Sequence, residues 1–174
     1  MKPKLIILTD LWGNINSEWI QFYAINLENK FEVKLYDCCE IAEIDSYNKT
    51  EKEIHSEFIE IGISKASQNL LKLEIGEINI LAFSVGGIIA WNSVKEGLNI
   101  INLKAISSTR LRNEISKPNC NLKLYYGEND DSRPKIEWFK NQKIEHEIIR
   151  NAEHNIYKDF DFAKKICQNI NQNW

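Results

Sequence analysis

The chain has 174 residues, with 22 basic and 25 acidic side chains giving a formal charge of −3. It is long enough to bury a core unaided, and its charges are too evenly spread to form a face for phosphate backbones, so nucleic acid is excluded as an expected partner. Cys38, Cys39, Cys120 and Cys167 form no CxxC pair, so reduced, mostly buried thiols are expected and no metal or organic cofactor is implied.

In chain order, Lys4 to Thr9 is a short β-branched apolar run, the pattern of a strand buried on both faces. Its apolar stretch is too short to cross a bilayer or to act as a signal-peptide core, so no membrane association is expected and a cytoplasmic location is. Ser17 can cap a helix whose Ile20, Tyr23, Ala24 and Leu27 share one face. Phe31 to Tyr36 alternates apolar and charged residues like a strand near a sheet edge, and the polar stretch Asp45 to Lys52 reads as a loop. Ile59, Ile63, Ala66, Leu70 and Leu73 recur at helical spacing, with Gly76 as the stop. Ile78 to Phe83 is the most apolar strand and turns at Ser84 directly into a helix ending near Gly97. Further strands read at Leu103 to Ser107, Leu122 to Tyr126 and Ile144 to Ile149. Pro134 can open a helix through Phe139, and Phe160, Ala163, Cys167 and Ile170 form the stripe of a last one.

Strand and helix alternate throughout. The expected fold class is therefore α/β, a minimal parallel sheet of about six strands with helices on both faces. No repeat, low-complexity tract or linker divides the chain, so a single domain over 1–174 is expected.

In such a sheet, reactive groups collect beyond the carboxyl ends of the strands. The central strand ends there in Ala82-Phe83-Ser84-Val85-Gly86-Gly87, which resembles the nucleophile elbow of the α/β-hydrolases: a serine on a tight turn, flanked at two residues by small side chains. Ala82 stands where that pattern has its first glycine, and a structural serine on a glycine-assisted turn is the competing reading. Leu122 to Pro134 resembles the family's acid-bearing segment. Asp130 stands three residues after Gly127 and four before Pro134, and neighbouring Asp131 is the alternative acid. His154 lies after the last strand, where the family carries its general base, whereas His55 and His146 are not at carboxyl strand ends. The order Ser, Asp, His is the family's order.

An acyl-transfer site also needs two N–H donors for the developing oxyanion. The resemblance implies the Val85 amide for one, and for the other the Trp12 amide in Thr9-Asp10-Leu11-Trp12-Gly13-Asn14, where Asp10-Leu11 replaces the family's His-Gly pair. Leu-Trp-Gly-Asn, Trp19 and an aromatic before the serine are similar to the carboxylesterases that demethylate pimeloyl-carrier-protein methyl ester. The resemblance thus implies a serine hydrolase acting on a small ester or acyl thioester, with Ser84, Asp130 and His154 as its triad, no cofactor, and an acyl carrier protein as a further candidate partner. A peptidase using the same triad and a non-catalytic binding member of the fold are the alternatives. The short span from Ser84 to Asp130 leaves no room for a large lid. Thr109 to Asn121 reads as a solvated loop, the alternative being a small flap whose Arg110 and Arg112 meet an anionic acyl carrier or carboxylate. A shallow, open pocket walled by Trp12 and Phe83 is expected. No G-x-G-x-x-G or Walker A loop supports a nucleotide-binding protein.

Overall fold

The computed structural model describes residues 2–13 and 17–174. Among them, six strands form one all-parallel sheet: β1 (Lys4–Leu8), β2 (Glu32–Tyr36), β3 (Ile78–Phe83), β4 (Ile100–Ile106), β5 (Asn121–Gly127) and β6 (Glu145–Ile149), in the order β2-β1-β3-β4-β5-β6. The helices are α1 (Glu18–Leu27), α2 (Cys38–Ala42), α3 (Glu51–Glu57), α4 (Ile63–Leu73), α5 (Val85–Lys95), α6 (Ile136–Gln142) and α7 (Phe160–Asn173). The apolar faces of α1 and α7 close one core against the sheet, and α2 to α6 close the other. β1 and the fully buried β3 sit between these layers as continuous apolar strands, as a parallel sheet covered on both faces requires. The alternating β2 is an edge strand, in keeping with its half-exposed pattern. No helix among the described residues is long and apolar enough to cross a membrane.

Local departures from the sequence reading have identifiable causes. Part of the stretch read as a loop is helical from Glu51, because Thr50 and Glu53 form a capping box that satisfies two backbone donors. Between α3 and α4 the chain makes a π turn, Phe58–Gly62, which inserts one residue into the helical repeat. The buried stripe consequently runs through Ile54, Phe58, Gly62, Ala66 and Leu70, while Ile59 and Leu73, expected inside, are exposed. In α7 the stripe is filled by Phe162, Ala163, Ile166, Cys167 and Ile170, and Phe160 instead lies at the surface against Phe22. Helix α2 was not anticipated; the Asp37 side chain caps it by accepting from the Cys39 and Glu40 amides. All four cysteines are free, and Cys38, Cys39 and Cys167 are buried. Burial pushes the Cys39 thiol up to about 12.

Strand order sets one end of the sheet apart. From β1 the chain moves outward to β2, and from β3 it moves the other way to β4. The crevice beyond the carboxyl ends of β1 and β3 is therefore the topological switch point of the sheet.

Candidate active site

Ser84 stands at that switch point, between the last residue of β3 and the first of α5. Its backbone is held at φ 49, ψ −117, in a region L-residues rarely occupy. Three hydrogen bonds fix the turn: the Ser84 amide donates to Ile106 O (3.0 Å), and Ser84 O accepts from the Gly87 (3.1 Å) and Thr109 (3.3 Å) amides. The elbow also needs small residues, because a Cβ on Gly86 would lie 2.8 Å from Leu8 Cβ and 2.9 Å from Thr9 O. From this turn the serine oxygen meets His154 Nε2 at 3.0 Å.

The other two groups are brought in by the loops after β5 and β6, which are tied to each other. A Cβ on Gly127 would come within 2.3 Å of Ala152 O, so only glycine allows this approach. The Asn129 amide then donates to Ala152 O (2.9 Å), and the Asn151 amide to Glu128 Oε2 (2.9 Å). Within this clasp His154 opens a 3₁₀ turn, His154–Lys158, and its Nδ1 lies 3.0 Å from Asp130 Oδ1. Ser84, His154 and Asp130 are thus joined in one hydrogen-bonded chain, with the serine only 1% exposed.

Asp130 is buried and charged. Burial pushes its carboxyl up, but the His154 hydrogen bond and charge, the Ser132 amide donated at 2.8 Å and the Ser107 hydroxyl outweigh this and hold it below its usual value. Oδ2 is buried without a full hydrogen bond, and so is Ser107 Oγ. Asp131, the alternative acid, is exposed, and its carbonyl accepts from Arg112 Nη1. His55 lies in α3 and His146 stacks on Phe139 at 4.0 Å between ring centroids; neither enters the chain.

Val85 is the first residue of α5, so its N–H has no carbonyl one turn earlier in the helix and points from the positive end of the helix dipole. Trp12 is in a different situation. Its amide donates to Asp10 Oδ1 at 3.1 Å. Asp10 is 2% exposed, and its Oδ2 accepts from Tyr157 OH and Lys158 Nζ, both at 3.1 Å. This Asp10–Tyr157–Lys158 cluster was not singled out from the sequence, although Asp10 at the end of β1, where a histidine was expected, was the visible signal. Asn14, part of the same segment, lies outside the described residues.

The aromatic walls divide likewise. The Trp12 side chain is 45% exposed at the rim. Phe83 is fully buried among Trp19, Tyr23 and Tyr157, with ring centroids 4.8–5.4 Å away, so it supports the floor and offers no surface to an acyl group. Its place before the elbow, at the end of a doubly covered strand, turns it into the α1–α7 core. Among the described residues, no group of three or more His, Cys, Asp or Glu side chains is arranged to hold a metal ion.

No protein-family model matches the sequence, and no curated protein matches it. Solved structures do match across nearly the whole chain. A Xanthomonas campestris protein of the α/β-hydrolase superfamily superposes with a TM-score of 0.73 at 11% identity, covering 99% of this chain and 100% of that one. Mouse alpha/beta hydrolase domain-containing protein 10 gives 0.68 at 12% identity, covering 99% and 89%. A Nitrososphaera gargenis structure described among carboxylesterases gives 0.64 at 14% identity, covering 99% and 92%. The chain has the fold these proteins share.

Proposed function

On the premise of an α/β-hydrolase fold, we propose that this protein is a serine hydrolase that cleaves a small carboxylic ester or thioester through an acyl-enzyme on Ser84. The observation that carries the reading is the hydrogen-bonded chain from a strained serine through His154 to a buried carboxylate. His154 Nε2 takes the Ser84 proton as Oγ attacks the carbonyl, and Asp130 holds the ring and stabilises the imidazolium. The proton then passes to the leaving alkoxide or thiolate. A water, deprotonated by the same imidazole, adds to the acyl-enzyme and releases the acid.

The oxyanion would be held by the Val85 amide and, as second donor, the Trp12 amide. For Trp12 to serve, the substrate oxygen must replace Asp10 Oδ1, which Lys158 and Tyr157 are placed to retain. The same occupied amide is what favours the second reading, a non-catalytic binding member of the fold.

A panel of nitrophenyl esters and acyl thioesters of rising chain length discriminates the two. Because Ser84 is nearly closed to solvent and Phe83 provides no acyl wall, turnover is expected for acetyl and propionyl groups and is expected to fall with chain length. Folded protein that turns over no member of the panel would contradict the ester and thioester reading.

A further inference from the structure

Beside the end of α7, β4 and β5 set two lysines side by side. Lys104 is in register with Lys123, and Lys123 with Glu145. Like charges opposite one another in a sheet repel, and Glu145 answers only one of them, through its ion pair with Lys123 at 2.7 Å. Lys104 is 5% exposed and makes no hydrogen bond or ion pair among the described residues; its ammonium lies 4.2 Å from the centre of the Trp174 ring. Burial, reinforced by Lys123 and opposed by Glu145, brings its pKa down to about 8. A lysine in a covered strand is costly unless something compensates its charge.

Lys104, Lys123, Asn121, Asn173 and Trp174 line a cavity of about 350 Å³. Asn121 uses its amide to donate to Asn102 Oδ1 (2.7 Å) and Asn173 to donate to Asn169 O (2.9 Å), so each NH₂ retains a second hydrogen. The lining therefore offers two ammonium groups and amide donors against one carboxylate that is already engaged. An apolar or cationic occupant would leave Lys104 uncompensated. We propose that this cavity is a second binding site, separate from Ser84, for a small multivalent oxyanion of the phosphate or polycarboxylate kind, clasped between Lys104 and Lys123.

The competing account is that Lys104 serves only the Trp174 ring. Calorimetric titration with inorganic phosphate, citrate and, at matched ionic strength, chloride separates the two. The wild-type protein is expected to bind phosphate or citrate saturably and chloride not at all, and the stronger of the two names the ligand class. Lys104→Met should weaken that binding by roughly tenfold or more, the loss of one charged hydrogen bond. Absence of saturable binding, or equal binding by K104M, overturns the site. Should K104M fail to fold, the ¹³C-dimethylamine resonance of Lys104 in reductively methylated wild-type protein provides the readout. A shift with phosphate or citrate that chloride does not produce supports the site, and a resonance indifferent to both overturns it.

Discussion

Ser84→Ala is expected to lower kcat for any ester the protein cleaves by roughly 10⁴- to 10⁶-fold, the range seen when a triad nucleophile is removed. The size of the effect follows from the geometry. Ser84 Oγ lies on His154 Nε2, and the turn that holds it is stabilised by backbone hydrogen bonds and by Gly86 rather than by the hydroxyl. Alanine therefore keeps the elbow and loses the nucleophile. Steady-state kinetics and circular dichroism on the same preparation check both halves: activity gone, helix and sheet signals unchanged. Retention of more than about a tenth of wild-type kcat would remove Ser84 from the mechanism.

Asp130→Asn is expected to cost roughly 10⁴-fold in kcat, because an amide can present its N–H to Nδ1 and so favour the wrong imidazole tautomer. Asp131→Asn should leave kcat within about twofold, as exposed positions usually do. Asp130 also predicts a stability effect of defined sign. Its carboxyl titrates below the usual 3.8 in the folded protein, so its contribution to stability is complete above that value and is lost as pH falls through the lowered one. Wild type should accordingly exceed D130N in denaturation midpoint at neutral pH, with the gap shrinking below about pH 3.8. A gap that grows on acidification would mean that Asp130 is not held as a buried anion.

The sequence was most informative where one residue type is needed for a steric reason. Gly86 and Gly127 are required by backbone approaches closer than a Cβ permits, and they frame the segments that carry Ser84 and Asp130. The covered, central character of β1 and β3 and the edge position of β2 were legible from continuous against alternating apolar patterns, whereas the order of the strands was not. What was not legible depends on register or on distant partners. The π turn at Phe58–Gly62 rotates the helix face by one residue with only Gly62, a residue helices tolerate, to mark it, so Ile59 and Leu73 emerge where burial was expected. Phe83 reads as a pocket wall from its neighbour Ser84, yet side chains alternate across a strand and this one faces α1 and α7. The Trp12 amide reads as a free donor until Asp10, whose ion pair comes from Lys158 far along the chain, is seen to hold it. Nothing in the sequence sets Lys104 apart, and its burial depends on Trp174 at the far end of the chain.

In the proposed mechanism Ser84 is a reactive nucleophile activated by His154. Incubation with a fluorophosphonate probe, followed by peptide mass spectrometry, tests it most directly. One phosphonyl adduct per chain is expected, carried on the peptide containing Ser84 and absent from both S84A and H154A. Folded wild-type protein that remains unlabelled, or an adduct that persists in S84A, would contradict it.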